Sequence, residues 1–102
     1  MKDRELTDYE STDYLVEGHP SVLEQVRPIV SELLEKLKAL PDGSSEQQRL
    51  QAFEDALKKI NAFENDIETV ERETILGAIY HIGSIVGLDP DSQFADRWRG
   101  DW

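Results

Sequence analysis

Between Pro20 and Pro41, nine apolar side chains recur at the spacing of one helical face: Val22, Leu23, Val26, Ile29, Val30, Leu33, Leu34, Leu37 and Leu40. Steps of three and four residues return each side chain to the same side of a helix, whereas a half-buried strand needs strict alternation. A stripe this long must be covered, so the chain has to supply further helices. Pro20 suits a first helical turn, where its missing N–H would have no partner in any case. Pro28 lies inside the stripe and removes a backbone hydrogen bond, so the expected helix over 20–39 is bent. It should stop at Leu40-Pro41-Asp42-Gly43.

Two more segments answer that need. Ser45 with Gln48 forms a capping box, and Leu50, Phe53, Leu57, Ile60 and Phe63 follow at helical spacing, which predicts a helix over 46–63. Glu54 with Lys58 and Asp55 with Lys59 are favourable pairs one turn apart on its outer face. Glu64-Asn65-Asp66 makes the next break. A helix over 67–86 then carries Ile67, Val70, Ile75, Leu76, Ile79, Ile82, Ile85 and Val86. Its second half is apolar nearly all round, which predicts that it is the central helix. Gly77 and Gly83 each lower its propensity by about 1 kcal/mol relative to Ala, and close approach by a neighbouring helix is the expected compensation.

The ends are different in character. Residues 1–18 are an acidic lead-in, and the spacing of Thr7 and Glu10 predicts a short helix over 8–16. Asp89-Pro90-Asp91 marks a turn, and the tail over 89–102 brings Phe94, Trp98 and Trp102, expected to fold back as a lid. Neither an internal repeat nor strand-like alternation is present. The reading is all-α: a small bundle of three main helices with a short N-terminal helix and an aromatic C-terminal tail, one domain over 1–102.

Charge narrows the function. Twenty-two acids against eleven bases leave −11. Such a surface repels phosphate backbones and anionic membranes and attracts basic proteins, so neither direct nucleic-acid nor membrane binding is expected. Simple solubility is the plain alternative. No apolar run approaches the ~18 residues of a membrane span. The opening Met1-Lys2-Asp3-Arg4-Glu5 is unlike a secretory signal, so a cytoplasmic location is expected.

Catalysis has little to stand on. The chain has no cysteine and two histidines, and lacks the glycine patterns of nucleotide-binding or nucleophile-elbow motifs. His19 precedes a proline at a helix start, and His81 reads as an ordinary helix histidine. Neither has a glutamate three residues before it, as the carboxylate-bundle metal pattern requires. No catalytic residue, metal ligand or cofactor is assigned.

The informative constellation is acidic. From Ile60 to Asp96 stand Glu64, Asp66, Glu68, Glu71, Glu73, Asp89, Asp91 and Asp96, against one base, Arg72. The helix over 67–86 separates them into two clusters. Glu64, Asp66, Glu68, Glu71, Glu73, Asp89 and Asp91 are the candidate partner-binding residues, with the 64–73 cluster favoured. A solvated face that compensates the helix dipole is the alternative.

Tyr14-Leu15, His19-Pro20 with the Val22-Leu23-x-x-Val26 stripe, the segment Ile67-Glu68-Thr69-Val70-Glu71-Arg72-Glu73 and the closing Asp101-Trp102 resemble an uncharacterised bacterial family of small helical proteins, a domain of unknown function. The resemblance covers residues 12–102 and implies an all-α fold with no established activity. Members carry a more polar helix where this chain has Leu76-Gly77-Ala78-Ile79. By type, the chain is also similar to acidic bacterial toxin-immunity proteins. Leu6-Thr7-Asp8-Tyr9 resembles the opening of the colicin nuclease immunity family, although that family's paired tyrosines before a proline are missing. The expected function is an immunity protein that occludes a basic, nuclease-type toxin. The alternative is a structural or adaptor domain that self-associates, as a homodimer through the helix over 67–86 or the aromatic tail.

Overall fold

The structure is a computed structural model and describes residues 2–102; Met1, at the head of the expected lead-in, lies outside them. Four helices follow one another: α1 (Lys2–Glu10), α2 (Pro20–Ala39), α3 (Glu46–Ile60) and α4 (Thr69–Ile85). A 3-10 segment, Asn61–Asp66, joins α3 to α4, and two short 3-10 turns, Pro90–Ser92 and Phe94–Arg97, lie in the tail. The described residues contain no strand.

The bundle is organised around α2, which packs against α1, α3 and α4. Pro20 opens it beside His19, whose Nδ1 accepts from the Ser21 N–H at 3.3 Å. The helix continues through Pro28 and ends at Leu40, held extended by the proline that follows. Val22, Leu23, Val26, Val30, Leu33, Leu34 and Leu37 are buried along it. α3 begins with both halves of the Ser45–Gln48 capping box, at 3.2 and 2.9 Å.

Several boundaries differ from expectation for identifiable reasons. The N-terminal helix spans Lys2–Glu10 instead of 8–16, so Thr7 is an interior residue and not a cap. Ser11 and Thr12 end it, their hydroxyls donating to the carbonyls of Asp8 and Tyr9 at 2.7 and 2.6 Å. The expected helix over 46–63 is α-helical only to Ile60, because the run from Asn61 to Asp66 contains residues that favour turns over helix interiors. Asn65 and Asp66 complete that 3-10 segment and do not cap α4, whose N-cap is Glu68.

α4 is not the central helix. Ile75, Ala78, Ile79, Ile82 and Gly83 are buried, but Gly77, His81 and Ser84 share an outward face. Their spacing, four and then three residues, is itself a helical stripe of small or polar residues that water can wet. Val70, counted in the apolar set, is 49% exposed.

The two glycines of α4 are unlike one another. A Cβ at Gly77 would have nothing within 4 Å. A Cβ at Gly83 would lie 2.8 Å from the Phe94 ring, so the close approach comes from the tail and not from a helix. Phe94 is buried edge-on between Phe53 and Tyr80, each ring centroid 5.1 Å away. Trp102 is also buried; its indole N–H donates to Asn61 Oδ1 at 2.7 Å, and the Arg99 guanidinium stands 5.7 Å from its ring. The tail therefore closes over the core, with helical turns only at Pro90–Ser92 and Phe94–Arg97 among the described residues.

α1 is held by Leu6, fully buried and worth about 1.5–3 kcal/mol of apolar transfer. The Glu10–Lys38 pair at 2.6 Å and a surface ladder of rings add to it. Tyr9 lies between Tyr14 at 4.9 Å and His81 at 4.4 Å, all nearly parallel, and Arg27 stands over Tyr14 at 5.8 Å. Burial, and secondarily the neighbouring Tyr14, pushes the Tyr9 phenol up to about 12. Burial also raises Tyr14 and Tyr80.

The two glycines and Tyr9 each give an expected outcome. Gly77→Ala should stabilise the protein by about 0.5–1 kcal/mol, since open helical backbone gains propensity without a clash. Gly83→Ala should destabilise it by about 1–3 kcal/mol through displacement of Phe94; paired urea titrations measure both. The raised Tyr9 pKa favours the neutral phenol in the folded state, so its stabilising contribution is intact below pH 10 and is lost as pH rises towards 12. Tyr9→Phe should make stability fall less steeply in that alkaline window, as followed by denaturant midpoints across pH.

Candidate functional site

The predicted acids occupy three places. Glu64 faces the C-terminal tail, where its Oε2 accepts the Asp101 N–H at 2.9 Å; a Cβ on Gly100 would collide with the same carboxylate. Asp89 and Asp91 are exposed at the far end of α4, and Asp89 Oδ1 accepts the Asp91 N–H at 2.9 Å in a local turn. Asp66, Glu68 and Glu71 meet at the N-terminal ends of α2 and α4, and the exposed Glu73 follows on the first turns of α4.

Glu71 holds that end together. Only 6% of it is exposed. Its Oε2 accepts the His19 N–H at 3.0 Å and its Oε1 the Glu68 N–H at 3.1 Å. One carboxylate thus satisfies a donor at the start of each of two helices that lie far apart in sequence. The chain makes room for it at Gly18, which has φ +131° and where a Cβ would stand 2.8 Å from Glu71 Oε2. Thr74, one turn further along α4, donates its hydroxyl to the Glu17 carbonyl at 2.6 Å, so the loop before α2 is fastened along α4.

The candidate docking residues therefore differ in how much of each reaches solvent. Glu71 is a buried strut, because both oxygens serve backbone donors and little of it reaches solvent. Glu64 is committed in the same way to the tail, leaving it half-buried. Asp66, Glu68 and Glu73 remain as exposed carboxylates. The first two line a cleft of about 500 Å³ with His19, Ser21, Val22, Gln25 and Glu71.

The structure adds residues that periodicity did not reveal. Val16, 61% exposed, precedes Glu17, and Val70, 49% exposed, lies one helical turn before Thr74. Both exposed valines are thus close in sequence to the partners of the Thr74–Glu17 bond, with Glu17, Glu68 and Glu73 as exposed neighbours in the chain. An apolar residue facing outward at the start of α4 interrupts its buried stripe, but from sequence alone Val70 fits that stripe equally well.

Charge is distributed unevenly around the bundle. Apart from Arg99–Asp96 in the tail, the ion pairs among the described residues use Arg27, Lys36, Lys38, Lys58 and Lys59, all bases of α2 and α3. No ion pair among the described residues falls on α4, where Arg72 is the one basic residue. Nor does any group of three His, Asp or Glu side chains among them converge to hold a metal ion. What this end offers chemically is a set of acceptors and a field attractive to cations.

Replacing Glu71 with Gln puts an amide N–H₂ against a backbone N–H at one of its two contacts. The expected loss is about 1–3 kcal/mol of folding stability with helix content retained, measured by denaturation and far-UV circular dichroism. As to relatives, no protein-family model, curated protein or solved structure matches this chain.

Proposed function

We propose that this chain is a protein-binding inhibitor, an immunity-type protein that neutralises a basic, nuclease-type toxin by covering its active site. The observation that carries the reading is the exposed acidic end of the bundle. There Asp66, Glu68, Glu73 and Glu17 stand free of ion pairs among the described residues, and Val16 and Val70, neighbours in sequence of Glu17 and of Glu68–Glu73, are exposed. A nuclease holds its substrate on a cationic surface, and a carboxylate-rich face is complementary to such a surface. The field of an acidic protein with −11 would speed encounter, and the valines would exclude water once docked. Such a protein would act in the cytoplasm, ahead of nucleic acid in the competition for the toxin. Asp89 and Asp91 belong to the long-range field in this scheme and not to the contact.

Self-association as an adaptor draws less support. The tail aromatics it would use, Phe94 and Trp102, are buried within their own chain, and Val16 and Val70 are the exposed large hydrophobics among the described residues. Two copies bearing −11 each would also repel.

The test takes the product of the neighbouring gene, which this reading expects to be a basic nuclease, and compares its inhibition by wild type and by the triple variant Asp66→Asn, Glu68→Gln, Glu73→Gln. None of the three residues is buried, so the fold should be retained. The expected result is a fall of about tenfold or more in association rate, with a flatter salt dependence, by stopped-flow fluorescence. Undiminished inhibition by the triple variant, or no binding by the wild type, overturns the reading.

A further inference from the structure

A second groove runs between α1 and the outward face of α4, about 490 Å³ in volume, bounded by Glu5, Asp8, Tyr9, Thr12, His81, Ser84 and Ile85. It is separate from the acidic end and none of its residues belongs to the docking face proposed above. Its chemistry is one-sided. Glu5 and Asp8 are exposed carboxylates without an ion-pair partner among the described residues. The Thr12 hydroxyl donates to the Tyr9 carbonyl and the Ser84 hydroxyl to the His81 carbonyl, at 2.6 and 2.7 Å, so what these oxygens offer the groove is acceptor lone pairs. No lysine or arginine lines it.

The other component is a stack of rings that ends on His81. His81 is exposed and stacks on Tyr9 at 4.4 Å with the planes 23° apart; Tyr9 in turn stacks on Tyr14. Ring order here is maintained by the fold, because Tyr14 is itself covered by Arg27, whose guanidinium also donates to the Leu15 carbonyl at 3.2 Å. One turn before His81, Gly77 leaves open space where any other residue would place a side chain. An occupant would therefore meet the exposed His81 ring, acceptors and negative charge together.

We infer that this groove between α1 and α4 binds an arginine side chain presented by a basic protein partner, its guanidinium stacked on the exposed His81 ring that Tyr9 backs, and paired with Glu5 and Asp8. A guanidinium is planar, permanently charged and donor-only, which matches an acceptor-lined groove with aromatic faces. A lysine ammonium supplies charge but no plane to stack, so the groove discriminates between the two cations. The inference rests on the reading of the chain as the acidic partner of a basic protein, and adds a specific anchor at a second place on its surface.

The test uses the full chain and two small probes, acetyl-arginine amide and acetyl-lysine amide, followed by NMR at the ring protons of Tyr9 and His81. Arginine amide should shift both sets of signals with a Kd of about the millimolar order, and lysine amide should bind several-fold more weakly. The double variant Glu5→Gln, Asp8→Asn, at exposed positions, should lose about tenfold of that affinity, and His81→Ala should remove the preference for arginine over lysine. Absence of shifts at Tyr9 and His81, equal response to the two amides, or full affinity in the double variant overturns the inference. The two proposals fail separately. Arginine binding in this groove with no nuclease inhibited leaves the anchor and removes the toxin. Inhibition lost in the Asp66, Glu68, Glu73 variant but untouched by the groove variants leaves the toxin and removes the anchor.

Discussion

The carboxylate of Glu71 is the contact on which the architecture turns. Its two oxygens take the N–H of His19, where α2 begins, and of Glu68, where α4 begins. Helix starts carry backbone donors that nothing inside the helix can satisfy, and two of them are answered here by one side chain. The consequence is a common origin for two helices that share no sequence neighbourhood. Gly18 is shaped to that contact, with a positive φ and no room for a Cβ, and Thr74 extends the fastening along α4. A charged group so nearly removed from water is tolerable because charge-assisted hydrogen bonds replace its hydration.

The same economy of acids shapes the surface. Twenty-two carboxylates are more than eleven bases can pair, and the bundle does not spread the excess evenly. Bases gather on α2 and α3, where Lys36, Lys38 and Lys59 bridge helices to Asp55, Glu10 and Glu32. α4 and the turns at its two ends, from Glu64 to Asp91, set seven acids against one base, Arg72. An excess arranged in this way produces a directional field, whereas the same charges intermixed would screen one another within a Debye length of about 8–10 Å.

How much of this was legible in the sequence varied with the kind of signal. The α2 stripe was unambiguous because twenty residues of three-four periodicity admit one interpretation, and the Ser45–Gln48 box marked the start of α3 through purely local chemistry. The N-terminal helix was displaced because Thr7 and Glu10 have capping-box spacing, yet Ser11 and Thr12 supply the hydroxyls that end the helix there. The apolar residues of α4 overstate how central that helix is. Leu76 and Ile85 sit half-buried at the margins of its inner face, and only packing separates them from the exposed Gly77, His81 and Ser84. Among the acids, Glu64 and Glu71 looked no different from Asp66, Glu68 and Glu73.

By itself, then, the sequence determined what depends on neighbours along the chain: an all-helical fold, the extents of α2 and the start of α3, and a net charge that favours cationic partners. Tertiary structure decided what depends on neighbours across it. It buried Glu71 against His19, tied Glu64 to Asp101, filled the space at Gly83 with Phe94 and brought His81 onto Tyr9. Helical periodicity and capping are set within a turn or two of backbone, so they can be read from one segment. The fate of a given carboxylate or ring is set by which distant donor or face arrives beside it, and that is fixed only when the helices pack.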